Sequence, residues 1–356
     1  MLESLRSSSN RLLQLFVLVG MLGGPVAAWA QLSNEGPARA TITKVGTTSA
    51  QFLKLGVGAR PLALGGAYVA MGTDLPALYW NVAGLAWFRG GAAQFTHTNY
   101  LAGISYDVAL VAISLGAAGS IGAGLYYLNS GEMLVRTVEE PEGTGERFSV
   151  QSLALQLSYA RRLTDRFSLG GSIKYIRETI WHSSASAVAV DIGVRFITPF
   201  ERLVIGASIA NFGPKMRMDG RDIYFSVDPD PQNQGNVEVV NAAYLLDAYD
   251  LPLLFRFGVA FTAFENQDVR LLLMTDAAHP NDNTEYVNVG AEINLRDLLA
   301  FRIGYKNAFE RDGEQGLTLG GGLTLVSAGL RAHFDFAHAS FGRLGSTQWI
   351  SVGIAF

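Results

Sequence analysis

The residues best equipped for chemistry sit close together near the end of the chain, in "RAHFDFAHAS": His333, Asp335 and His338. A histidine beside a carboxylate is the pairing general base catalysis uses, and a second histidine would supply an acid. The spacing does not hold the three together. Side chains of an extended segment alternate between faces, so His333 and Asp335 share one face while His338 takes the other. A polar face with a histidine at its edge is the simpler reading. The stretch "DPDPQNQGN" (228–236) offers oxygen ligands but lacks calcium-loop spacing and the acidic twelfth position, so it reads as a solvated loop. Gly320-Gly321-Gly322 and the pair Gly56 and Gly58 lack the strand–turn–helix context of a phosphate loop. They read as tight packing positions.

The sequence holds no G-x-S-x-G elbow, no H-E-x-x-H helix and no G-x-x-x-x-G-K loop. It holds no cysteine, which excludes a thiolate nucleophile, a thiolate metal site, a disulfide scaffold and an acylated lipoprotein cysteine. The expectation is a protein that is not an enzyme and carries no cofactor or metal.

Composition points to a membrane instead. Of 356 residues, 49% are hydrophobic and only 16% charged, with 40 glycines. Mean hydropathy is +0.21, yet no apolar run in the body of the chain reaches the ~18 residues of a spanning helix. The net charge is −4, and no basic stripe interleaved with aromatics appears, so nucleic acid is not an expected partner. At the N-terminus, Arg6 and Arg11 precede "LLQLFVLVGMLGG" and an Ala28-Trp29-Ala30 cleavage site. Residues 1–30 therefore read as a secretory signal peptide.

From about residue 90 the chain alternates strictly. In "PLLFRFGVAFTAF", Leu253, Phe255, Phe257, Val259 and Phe261 oppose Arg256, Gly258, Ala260 and Thr262. "SAVAVDIGVRF", "EYVNVGAEINL" and "LAFRIGYKNA" repeat the scheme. A soluble sandwich would mix sizes on its core face. Here one face is uniformly bulky and the other small or polar, which is the lipid-out, lumen-in pattern of an outer-membrane barrel. Fourteen candidate strands follow, near 90–98, 106–116, 119–129, 149–162, 166–182, 185–197, 202–212, 252–264, 268–278, 285–295, 299–308, 316–326, 328–338 and 347–356. Short and long connections alternate, placing both barrel ends in the periplasm. The expected fold is thus an all-β, fourteen-stranded antiparallel outer-membrane barrel over residues 90–356. The final "TQWISVGIAF" ends in mid-strand because the last strand closes against the first. Its outward residues Ile350, Val352, Ile354 and Phe356 resemble the signal read by the barrel-assembly machinery. Trp349, Tyr106, Tyr159, Tyr286 and Tyr305, near strand ends, are candidates for the interfacial aromatic girdles.

Residues 31–89 differ. They are Gly/Ala-rich, with a helix-like stretch at Ala50–Leu55 and a further turn after Asn81, which can cap it. Parity places this segment at the periplasmic end, where it could enter the lumen as a plug. Gly65, Gly66 and Ala67 would permit close approach to the wall, and Arg60 and Asp74 are plausible anchors. The phrase "FLKLGVGARPLALGGAYVAMGTDLPALYWNVAGLA" resembles the start of PorV/PorQ-type outer-membrane proteins, relatives of the FadL fatty-acid transporters. The matching positions include Arg60, Gly65, Gly66, Asp74, Trp80, Asn81 and Gly84, with Val82 where the family usually has proline. The resemblance implies either of two roles. One is assisting type IX secretion, by export and surface attachment of cargo proteins. The other is passing long-chain fatty acids or other hydrophobic solutes through the outer membrane. Gly119, Gly122 and Gly124 are candidate interruptions for the side opening that transport would need.

By parity Asp191, Arg195, Arg256, Arg270, Asp276, Glu292, Arg302, Lys306, Arg331 and Asp335 face inward. Mixed charges suggest a wall-to-plug ion-pair network, or charges that solvate the lumen, rather than a single-sign pore. The outside loop 213–251 carries Val239, Tyr244, Leu245, Leu246 and Tyr249, more apolar surface than a solvated loop usually shows. It either packs down over the barrel mouth or is the contact for a secretion-system protein, exported cargo or a hydrophobic small molecule, with membrane lipid around the wall.

Overall fold

A computed structural model describes residues 44–356 apart from Glu201, 230–231, 233–238 and 311–312. The expected leader, residues 31–43, and most of the stretch 228–236 lie outside the described residues.

Fourteen strands form one antiparallel sheet closed on itself: β1 Gly91–Asn99, β2 Ser105–Ser114, β3 Ser120–Asn129, β4 Val150–Arg162, β5 Phe167–Ile180, β6 Ser183–Ile197, β7 Leu203–Phe212, β8 Leu254–Glu265, β9 Val269–Pro280, β10 Tyr286–Leu295, β11 Leu299–Ala308, β12 Leu317–Ser327, β13 Leu330–Ser340 and β14 Ser346–Ala355. Each pairs with its sequence neighbours, and β14 closes against β1 from Ala92↔Ala355 to Asn99↔Gln348. Closure leaves no edge of unpaired backbone groups in lipid, where each would cost several kcal/mol. One two-residue strand, Asp219–Gly220, bonds to β6 outside the barrel. Among the described residues no helix is long and apolar enough to cross a membrane.

Observed strand ends agree with the sequence pattern to within about two residues, because two solvents enforce the alternation. The outward row stays bulky and exposed, as with Phe255 and Phe257 on β8 or Ile350, Val352 and Ile354 on β14. Three of the girdle assignments are corrected by the same parity. Trp349 and Tyr106 are buried facing the lumen, and Tyr286 shares the inward face of β10 with Asn288. Tyr159 and Tyr305 do face outward. Proximity to a strand end cannot choose a face; only odd or even position can.

The strand glycines do not break the wall. β3 pairs in continuous register with β2 and with β4 through Gly122 and Gly124. Register shifts instead occur at Val190/Ile192 between β6 and β7, at Thr262/Phe264 between β8 and β9, and at Val287/Val289 between β10 and β11. Two of these bulges share a device. Asn211 (φ 64°) and Asn307 (φ 55°) adopt the left-handed conformation that asparagine tolerates. Their N–H groups donate across to Asp191 Oδ1 and Asn288 Oδ1, each at 2.8 Å.

Inside the barrel, residues 44–90 form a chain of short turns. A 3-10 turn spans Gln51–Lys54, helix α1 spans Ala59–Ala63, helix α2 spans Ala77–Trp80, and a second 3-10 turn spans Val82–Trp87. Asn81 caps the last, its side chain accepting from the Ala83 N–H at 3.1 Å. The two α-helices carried no readable period because they are only four or five residues long. The segment enters the lumen and runs its length. Ser49 donates to the Asp250 carbonyl at the long-loop rim, while Trp87 reaches Ser168 at the short-turn rim. Parity located only the point where the segment joins β1, not how far it reaches.

Candidate functional site: the seam between the N-terminal segment and the wall

Wall glycines make the seam possible. A Cβ on Gly170 would lie 2.6 Å from the Ala83 nitrogen, and one on Gly206 would lie 2.5 Å from the Val69 carbonyl oxygen. One on Gly304 would collide with the backbone at Leu64 and Gly65. These inward positions are glycine because a polypeptide backbone, rather than water, lies against them. The segment contributes Gly65, where a Cβ would press on the Tyr305 backbone, and Gly66, where it would press on the Trp80 ring.

Arg60 sits on α1, whose first N–H donates to Ser351 Oγ on β14 at 2.9 Å. Its guanidinium forks onto Glu292 of β10, at 2.9 Å from Nε and 2.7 Å from Nη2, and meets Asp74 at 3.0 Å. Tyr68 donates to the same Asp74 carboxylate at 2.6 Å, and Arg60 lies over its ring. Glu292 is fully buried and also accepts from Arg302 Nε of β11 at 2.6 Å. Arg302 continues to Asp335 on β13 at 2.5 Å. The result is an alternating row of charges, Asp74–Arg60–Glu292–Arg302–Asp335. Bidentate geometry and opposite neighbours on both sides offset the cost of burying each charge. Between β11 and β13 lies β12, where a side chain at Gly322 would collide with both Arg302 and Asp335. The glycine triplet is thus a gap for this ion pair, with Gly320 packed on Ala63.

The other inward charges divide. Asp276 accepts the N–H groups of Tyr68 and Val69 at 2.7 and 2.9 Å. Arg195 donates to the Ala70 carbonyl at 2.8 Å and lies against Trp87. Arg256 covers the rings of Tyr79 and Trp80 at 5.1 and 5.0 Å, a cation–π contact. Asn81 bridges the segment's Val69 carbonyl and the wall's Val194 carbonyl at 2.8 and 3.0 Å. Asp191 belongs to the wall itself, paired with Lys174 at 2.8 Å. Lys174 went unnoticed in the sequence, although its even position on β5 marks it as inward. Three residues stand outside the network. Lys306 is half-buried beside Leu62 and Trp349, and Arg331 is exposed at the turn end of β13. Arg270 pairs with the turn residue Asp297 at 3.6 Å. Gly84 packs within the segment, where a Cβ would strike the Gly72 carbonyl.

A second cluster was invisible in sequence. Asp282, in the loop after β9, has a fully buried side chain. It accepts from Thr48 Oγ1 and Gln51 Nε2 at 2.8 Å each, and from Lys54 Nζ at 3.0 Å to both oxygens. Burial alone would raise its carboxyl; hydrogen bonds from Gln51, Lys54 and Thr48 outweigh that and hold it below the usual carboxylate range. Beside it, Glu178 accepts the Ala50 N–H at 2.9 Å.

Above the same rim, Tyr224–Val227 and Val240–Ala243 form a separate hairpin. The Phe225 and Tyr244 rings meet at a tilt, with centroids 4.8 Å apart. Val239, Tyr244, Leu245 and Tyr249 are exposed and Leu246 is partly buried. The opposite rim holds the end of the β1–β14 closure. Gly91 and Phe356 exchange two backbone hydrogen bonds of 2.8 Å, and Gly91 leaves room for the terminal ring. His333 and Asp335 share the inward face as expected, and His338 faces away.

The family model for type IX secretion system protein PorV matches residues 38–224, just over half of the chain. The chain belongs to this family. Among curated proteins no sequence match was found. Solved structures share the fold at low identity. A Pseudomonas aeruginosa FadL homologue is 12% identical, with TM-score 0.50, covering 82% of this chain and 96% of its own. The Ralstonia pickettii toluene transporter TbuX and the Pseudomonas putida toluene transporter TodX are each 13% identical, with TM-score 0.52, covering 84% of this chain and 97% of theirs. This PorV-family chain is an outer-membrane β-barrel of FadL-like fold.

Proposed function

We propose that this chain serves a type IX secretion system, assisting the export and surface attachment of cargo proteins. The observation that carries the reading is membership of the PorV family. The architecture supports it in two ways. The lumen is occupied from rim to rim by residues 44–90, held by wall charges and fitted into wall glycines, so those residues act as a plug. The long-loop rim, where the exposed Val239, Tyr244, Leu245 and Tyr249 flank the hairpin, then offers surface for a secretion-system protein or cargo. The barrel-assembly machinery would read the outward row ending at Phe356.

A second reading is FadL-like transport of long-chain fatty acids or other hydrophobic solutes. It is favoured by the fold shared with the two toluene transporters. Against it stands the continuous pairing of β3 through Gly122 and Gly124.

The deciding experiment compares surface, secreted and periplasmic proteins with and without this gene. Loss from the surface of proteins sharing one C-terminal domain, with their accumulation in the periplasm, is the expected result. An unchanged distribution rejects the secretion role, and reduced uptake of labelled fatty acid in the same strain would establish the second reading.

A further inference from the structure

The N-terminal segment is held at both rims by different chemistry. At the short-turn rim it is continuous with β1, and Trp87 is fixed by Ser168 and by Arg162 and Arg195. At the long-loop rim, among the described residues, it is held by hydrogen bonds and one ion pair. Thr48, Gln51 and Lys54, all from one turn, converge on the single carboxylate of Asp282. Long loops face the cell exterior in outer-membrane barrels, so this end of the segment faces outward.

We propose that residues 44–90 are a strap threaded through the barrel from the cell exterior to the periplasmic face, with Asp282 as the catch at its outer end. The catch suits the task. Its side chain is fully buried, yet Lys54 keeps about a third of its side chain in contact with solvent, at 31% exposure. Charge-assisted hydrogen bonds of this kind are strong but local. Loss of the one carboxylate frees three side chains together. Two single backbone hydrogen bonds, Ser49 N–H to the Asp250 carbonyl and Ala50 N–H to Glu178, lie beside the catch, and the next charged attachment inward is Arg60 on Glu292, so release would loosen the outer part of the segment and leave the inner seam intact. Val45, beyond the catch, is already exposed.

The chain has no cysteine, so single cysteines report position without background. Val45→Cys should react with a membrane-impermeant maleimide on intact cells. Asp165→Cys, in the turn between β4 and β5, should react only after the outer membrane is broken. Reaction of Val45→Cys only in broken cells overturns the threading.

The catch is read from buried Phe52→Cys, with Leu78→Cys in the inner part as control. Adding Asp282→Asn, which keeps shape but removes charge, should raise the labelling rate of Phe52→Cys roughly tenfold or more and leave Leu78→Cys unchanged. Equal rates for Phe52→Cys with and without the substitution, or a rise at both sites, overturns the catch. Heat-modifiable migration on gels confirms that each variant carries a folded barrel. Neither readout depends on secretion, so its outcome is independent of the proposed function.

Discussion

At the scale of single residues, the seam is built from charges that are useful only together. Glu292 has no exposed side-chain surface and serves two arginines, Arg60 from the segment and Arg302 from the wall. Glu292→Gln keeps the volume but leaves both guanidiniums facing a neutral amide. Breaking a buried ionic network by removing one partner costs about 3–5 kcal/mol. The variant should therefore unfold at a clearly lower temperature than the parent in heat-modifiability measurements, whereas Arg331→Gln, at an exposed strand end, should leave that temperature unchanged. Much of this was legible. Parity placed Asp191, Arg195, Arg256, Glu292, Arg302 and Asp335 inward, and all are buried. It could not say that Asp191 pairs within the wall while Glu292 crosses to the segment. Pairing depends on where the segment runs against the wall, which no spacing along the chain records.

At the scale of elements, each wall strand does two jobs through its alternate residues. The outward row meets lipid and wants bulk. The inward row meets a folded polypeptide and wants space, which is why so many inward positions are glycine. Gly304→Leu tests this directly. The strand can still pair with β10 and β12, but the side chain would enter the space held by Leu64 and Gly65. Overpacking of this kind costs about 1–3 kcal/mol, and its effect should fall on the segment first. Proteolysis within residues 55–75 should accelerate in the variant while the barrel still migrates as folded. The short helices α1 and α2 show the opposite limit. Neither is long enough to print a hydrophobic period, and both depend on the wall to exist.

At the scale of the whole molecule, the wall is closed without help from its contents. Every strand finds both backbone partners in neighbouring strands, and β14 meets β1 along its length. Deleting residues 44–88 should then leave a barrel that still assembles, with a lumen lined by Arg195, Arg256, Glu292 and Arg302. In planar bilayers that variant should conduct ions where the parent does not. A deletion variant that fails to insert would mean that the segment is part of the folding core instead.

The sequence by itself determined the membrane, the strand count, the closure and the facing of nearly every side chain. Lipid outside and a small-residue interior impose a period of two on each strand, and that period survives in any one-dimensional record. The tertiary structure alone decided where the N-terminal segment runs and what holds it. Its residues are irregular and carry no period. Its attachments, such as Arg60 to Glu292 and Lys54 to Asp282, join positions 232 and 228 residues apart. Only closing the barrel brings them within reach, and only the closed barrel supplies the wall against which such short helices can form.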